Sequence, residues 1–251
     1  MTEFKDHFST HATDYAKYRP GYSDALFAWL ASLSAHRDLA WDVGTGSGQA
    51  ALGLARYFSR VIASDAAQAQ VSSAVAHARI VYKVMPAERS DLADASVDLV
   101  TVAQAIHWFD FDRFYAEVRR VLKPEGAIAV WTYGVNKIAP DVDAVVQRYY
   151  AHIVGPYWPP ERDYVEKNYR TIPFPFAEIR APDFRMQQRW RLDDLLGYLA
   201  TWSATKRYRE ARGEDPLALV REPLARAWGR QETRAIEWPI YVRAGRLSRA
   251  A

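Results

Sequence analysis

Apolar residues recur along the first half of the chain in short blocks that alternate between two periods. The segments 39–43 (LAWDV), 60–64 (RVIAS), 80–84 (IVYKV), 97–103 (VDLVTVA) and 127–133 (AIAVWTY) are brief apolar runs with the length of buried strands. Between them lie stretches with helical spacing: 23–33 with Ser23 as its cap, 48–58, 66–77 and 111–122, the last stopped by Lys123-Pro124-Glu125-Gly126. Strand and helix alternating at this pitch predict a parallel sheet with helices on both faces, because each parallel connection must cross over the sheet.

The pattern loosens after residue 133. A helix is predicted over 141–154, and 155–176, with GPYWPPERDY and TIPFPF, is too rich in proline for regular structure. A strand at 177–184, helices at 192–211 and 216–229, and a closing strand at 233–245 follow. The expected fold class is therefore α/β: a Rossmann-like, doubly wound, mostly parallel sheet with a late antiparallel strand. One domain is expected over 1–251, with an N-terminal cover (1–34) and a ligand-binding core (35–133). A helical and proline-rich cover (134–176) lies over the carboxyl edge of the sheet, and C-terminal strands and helices (177–251) complete it.

Composition narrows the chemistry. With 251 residues, 49% of them hydrophobic, the chain can bury a sizeable core. It has no cysteine, which removes disulfides, thiolate metal sites and thiol nucleophiles, and no metal is expected. The start, MTEFKDHFST, has charges where a signal peptide needs an apolar core, and no run approaches a membrane span, so a soluble, cytoplasmic protein with no membrane partner is expected. The net charge of +3 comes without a Lys/Arg block, which argues against a nucleic-acid partner. From Arg180 onward 15 Lys/Arg stand against 9 Asp/Glu, an excess read as solvated arginines on helix faces.

The most informative stretch is Asp42-Val43-Gly44-Thr45-Gly46-Ser47-Gly48, a strand that ends in glycines and turns directly into a helix. Such a turn lets main-chain amides approach a ligand, and the helix N-terminus adds partial positive charge. Dinucleotide enzymes use G-x-G-x-x-G, whereas here Gln49 stands where their last glycine would be. Asp42 at the rim of the turn would repel phosphates and suits an ammonium or a sulfonium. S-adenosylmethionine carries both cations. A nicotinamide or flavin oxidoreductase of the same fold, and a non-catalytic S-adenosylmethionine binder, are the other readings the pattern admits.

These residues resemble class I S-adenosylmethionine-dependent methyltransferases, in particular the small-molecule group that includes trans-aconitate methyltransferase-like proteins. The likeness rests on residues 42–48, on FSTHATDYAKYRPGYSDAL (8–26) as an N-terminal cover, on AQAIHWFD (103–110) after the fourth strand, and on VLKPEGAIAVW (121–131). It implies S-adenosylmethionine as cofactor, held by Asp42, Gly44, Thr45, Gly46, Gly48, Asp65, Ala66, Ala87, Glu88, Ala103 and Gln104. It also implies a small-molecule methyl acceptor bound by Tyr15, Tyr18, Arg19, His107 and Trp108.

Asp65, 21 residues after Gly44, is placed to accept both ribose hydroxyls, although Asp65-Ala-Ala-Gln68 also fits a helix capping box. The family often has Asp before the alanine at position 87 and Leu-Pro after it, where this chain has Pro86 and Ser90-Asp91. Adenine recognition then falls to the Ala87 amide or to Glu88. His107 is a candidate base or acceptor-orienting group, and Trp108 a wall that excludes water and attracts the sulfonium. A carboxylate acceptor is already ionised and needs no base, and the resemblance favours one. The missing cysteine excludes cytosine-C5 and arsenite methylation. Gln104-Ala105-Ile106-His107 differs from the Asn/Asp-Pro-Pro-aromatic stretch of amino-group DNA methyltransferases, and no glutamate lies between Glu88 and Glu117 to supply the pair of protein arginine enzymes.

Overall fold

The computed structural model describes residues 20–247, so the expected cover residues Tyr15, Tyr18 and Arg19 lie outside the described residues. One sheet contains β1 (Leu39–Val43), β2 (Arg60–Asp65), β3 (Ile80–Val84), β4 (Val97–Ala103), β5 (Leu122–Tyr133), β6 (Ala177–Ile179), β7 (Phe184–Trp190) and β8 (Arg234–Arg246). Their order is β3-β2-β1-β4-β5-β8-β6, with β7 also paired to β8. The strands β1 to β5 pair in parallel, and β8 runs antiparallel to β5, β6 and β7. The described helices are α1 (Asp24–Ser32), α2 (Gln49–Leu54), α3 (Gln68–Ser72), α4 (Phe111–Val121), α5 (Pro140–Arg148), α6 (Arg162–Glu166), α7 (Leu192–Ala200), α8 (Ser203–Arg212) and α9 (Ala218–Trp228). None of them is long and apolar enough to cross a membrane.

The two-residue alternation of the strands sorts the core into two layers. Ala40, Leu99, Ala129 and Trp131 face α1, α2 and the C-terminal helices, while Trp41, Val43, Val100, Val102, Ile128 and Val130 face α4 and the segment around Tyr169. Both faces of the central strands are therefore covered, which is why their sequences read as nearly unbroken apolar runs. The chain travels outward from β1 to β3 and then returns to lay β4 beside β1. That reversal leaves a crevice at the carboxyl ends of β1 and β4, the place where open α/β sheets bind ligands.

Several boundaries differ from the sequence expectation. The segment 192–211 is two helices, because Thr201 turns its hydroxyl onto the Tyr198 carbonyl (2.6 Å) and Trp202 leaves helical geometry to bury its ring against Tyr149, Tyr150 and Trp158. β5 begins at Leu122 rather than 127, since Leu122 pairs with Val97 before an irregularity lets the Lys-Pro-Glu-Gly stretch pass. The strand expected at 177–184 is split, with β6 and β7 pairing with separate parts of β8 on either side of residues 180–183. The helix expected at 66–77 is confined to Gln68–Ser72. The helix expected over 141–154 is α5 followed by a wider π-type turn at Tyr149–Ile153.

Candidate active site

The glycine turn is built by three different constraints. A side-chain carbon on Gly44 would lie 2.6 Å from Ala105 Cβ and 3.1 Å from the Phe109 ring, so the turn packs directly on the loop that follows β4. A carbon on Gly48 would lie 2.3 Å from the Tyr82 hydroxyl. At Gly46 the nearest atom would be Gln70 Oε1, 3.7 Å away, so there is room, and what demands glycine is the backbone angle φ of +56°. Gly46 is thus the position where the absent side chain leaves open space.

Two acids hold this turn. Asp42 is fully buried and sits opposite Thr101 in the β1–β4 register. Its oxygens accept from Thr45 Oγ1 (2.5 Å) and Thr101 Oγ1 (2.7 Å), so the carboxylate lies beneath the turn rather than at its rim. Burial pushes its pKa up to about 6, against the hydrogen bonds from Thr45 and Thr101, and the charge of Asp65 pushes the same way. Asp65, at the end of β2, accepts from the Gly46 amide through Oδ2 and from the Ala67 amide through Oδ1, both at 2.9 Å. The capping box does not form, as α3 has Ala67 at its N-cap and no side-chain cap. A carboxylate in this place is the kind of acceptor that the two hydroxyls of a diol need.

The remaining walls come from the ends of β3 and β4. Ala66 is exposed beside Asp65, and Ala87 is buried among Val43, Ile62 and Met85. Glu88 accepts the Asp110 amide at 3.0 Å, tying the loop after β3 to the start of α4. Ser90, where the resembled family has an apolar residue, gives its amide and hydroxyl to Glu117 Oε1 (2.7 and 2.5 Å). Ala103 ends β4 opposite Trp131. Gln104 takes a left-handed conformation (φ +57°), accepts from Thr132 Oγ1 (2.7 Å) and donates to the Tyr133 carbonyl (3.2 Å).

Past Gln104, a turn of 3-10 helix (Ile106–Trp108) carries His107 and Trp108 into a second compartment. His107 is half-buried, has its ring centre 4.8 Å from that of Trp108 with the planes tilted by 43°, and shares a 2.7 Å hydrogen bond between Nδ1 and the hydroxyl of buried Tyr169. Burial, and then the positive charge of Arg162, push its pKa down to about 3. The imidazole is neutral at any physiological pH. The far wall is made by Trp158, Arg162, Tyr198 and Trp202. Sequence reasoning assigned no chemistry to these four or to Tyr169. The aromatic, proline-dense run ahead of Arg162 was a signal for a binding wall, whereas nothing local marks Tyr169, 62 residues from its partner.

A fold with its crevice at β1/β4, a glycine turn set against it and an acid at the end of β2 has the features of a nucleoside-binding α/β domain. Comparison with known proteins agrees: residues 41–130 match the family described as methyltransferase domain. A protein of Dictyostelium discoideum named as a putative methyltransferase is 35% identical, covering 96% of this chain and 95% of its own. An uncharacterized methyltransferase of Mycobacterium tuberculosis is 32% identical over 73% of this chain and 69% of its own. The solved structure of a protein from Anaeromyxobacter dehalogenans named as a putative type II methyltransferase superposes with a TM-score of 0.86 at 50% identity, over 91% of this chain and 97% of that one. The chain belongs to the class I S-adenosylmethionine-dependent methyltransferases.

The buried acid makes stability depend on pH. Asp42 binds its proton more tightly folded (about 6) than at its ordinary value of 3.8, so folding stability falls as pH rises through that window. The full effect is about 3 kcal/mol, from 1.36 kcal/mol per pKa unit. In Asp42→Asn this slope should be missing. Urea titrations from pH 4 to 7 should show the variant gaining on the wild type by about 2 kcal/mol, whereas parallel profiles would contradict the assignment.

Proposed function

We propose that this methyltransferase acts on a small molecule and that the acceptor is a carboxylate, methylated on oxygen. The observation that carries the reading is the placing of His107 in the second compartment, bonded through Nδ1 to Tyr169 and facing the same pocket as Arg162, where burial and that positive charge hold its pKa down at about 3. An imidazole whose conjugate acid has a pKa near 3 is a weak general base at neutral pH, so an alcohol or phenol acceptor would find no competent proton acceptor in it. A carboxylate loses no proton. The resemblance to the trans-aconitate group supports the same acceptor class.

S-adenosylmethionine, when bound, supplies an electrophilic methyl group on a sulfonium. In this reading Gly46 leaves main-chain room for the cofactor, Gly44, Thr45 and Gly48 hold the turn in place beside it, and Asp65 with Ala66 takes the ribose diol. Ala87 and Glu88 meet the adenine edge, while Ala103 and Gln104 flank the methionine portion. Asp42 contributes negative charge from beneath the turn, which offsets the ammonium and sulfonium. His107 and Trp108 orient the acceptor and exclude water, because methyl transfer from a sulfonium disperses charge and gains most from positioning.

Two outcomes test this. Gly46→Val should fold and bind S-adenosylhomocysteine at least a hundredfold more weakly by calorimetry, since its side chain would fill the open space described above. Unchanged affinity in the folded variant would remove the turn from the cofactor site. For the acceptor, a panel of carboxylates, phenols and amines should first be screened for S-adenosylhomocysteine formation. With the best acceptor, single-turnover rates between about pH 6 and 8 should show no limb that depends on His107, so that His107→Asn alters KM and leaves the shape of the profile unchanged. A wild-type limb near pH 6.5 that His107→Asn abolishes would show a hydroxyl acceptor and a histidine base.

A further inference from the structure

Arg162 stands in the wall of the second compartment with an unusual set of contacts. Its Nε donates to the Tyr150 hydroxyl (2.8 Å), and its guanidinium carbon lies 4.5 Å from the centre of the Trp158 ring and 5.3 Å from that of Tyr150. The Tyr150 hydroxyl donates in turn to Glu166 Oε1 (2.5 Å), which turns an oxygen lone pair toward Arg162. Among the described residues no carboxylate pairs with Arg162, and its two Nη groups make no hydrogen bond. The guanidinium plane is therefore fixed on one edge and unused on the other. A half-buried cation without a counter-ion gains strongly from an incoming anion, and the planar fork matches a carboxylate better than any other common anion except phosphate.

The surrounding walls restrict what carries that anion. Trp108, Trp158, Trp202, Tyr133 and Tyr198 line the same pocket, whose free volume is about 90 Å³. Flat rings on several sides and little room favour a small planar skeleton that stacks over a bulky, puckered one. Resting on the reading of a carboxylate acceptor, we infer that Arg162 is the acceptor clamp and that the pocket selects a small, flat, unsaturated carboxylate. Arg162 takes one lone pair on the carboxylate. A lone pair it leaves free forms the bond to the methyl carbon, the carbon–sulfur pair returns to sulfur as a neutral thioether, and no proton moves. The product is a neutral ester. It has lost the charge that Arg162 held, so the same residue that retains substrate releases product.

The test uses the full protein saturated with S-adenosylhomocysteine, titrated calorimetrically with sorbate, its saturated analogue hexanoate, and methyl sorbate. The wild type should bind sorbate at least tenfold tighter than methyl sorbate, and tighter than hexanoate. Arg162→Gln should erase the acid-over-ester preference while leaving the affinities for methyl sorbate and S-adenosylhomocysteine within twofold, and Arg162→Lys should restore part of it. A mere packing role would weaken acid and ester alike. Equal binding of sorbate and methyl sorbate by the wild type, no binding of sorbate at millimolar concentration, or a preference that survives in Arg162→Gln would each overturn the clamp while leaving the cofactor site standing. Failure of the wild type to bind S-adenosylhomocysteine would overturn the underlying reading, and the clamp with it.

Discussion

The contact between the glycine turn and the loop after β4 is the constraint on which the rest of the site depends. Gly44 lies against Ala105 and Phe109 with no space for a side-chain carbon between them. Asp42 joins the same two strands from below through Thr45 and Thr101, so the turn and the end of β4 are held at one fixed separation. Because His107 and Trp108 lie two and three residues after Ala105, the glycine turn and the proposed acceptor wall share one junction. Methyl transfer needs its reacting atoms aligned to within fractions of an ångström, and such a junction supplies that alignment before any ligand arrives.

Electrostatics divide the crevice into two unlike halves. Around the glycine turn the charged groups are acids: Asp42 beneath it and Asp65 across from it, in mutual repulsion that helps raise Asp42 to about 6. In the aromatic half the charged group among the described lining residues is Arg162, whose field helps keep His107 neutral. This division suits the proposed pairing of a cationic donor with a carboxylate acceptor, whose charges would cancel as the methyl group moves. Burial of Asp42 costs stability at neutral pH, and an acid retained at that cost is the pattern expected where a site serves binding rather than folding.

The parallel strands were legible because β1, β4 and β5 are buried on both faces and so carry unbroken apolar runs. The glycine turn was legible because its spacing has few other physical uses, and Asp65 because the strand that ends in it was. The depth of Asp42 was not, since it follows from the pairing of Asp42 with Thr101, 59 residues away. The start of β5 was missed for a similar reason: Lys-Pro-Glu-Gly is a local stop signal, and the distant Val97 overrides it. The break at Thr201-Trp202 has no proline or glycine to announce it and is made by an aromatic cluster drawn from three segments. Arg162 was hidden in a stretch whose prolines marked only the lack of regular structure.

The most direct test of the central claim is a crystal structure of the protein with S-adenosylhomocysteine. The account predicts the ribose hydroxyls on Asp65, the ligand passing over Gly46 with no displacement of Gly44 from Ala105, and the sulfur facing the compartment that holds His107 and Arg162. A ligand seated elsewhere, or one that binds only after the glycine turn separates from the loop after β4, would contradict it.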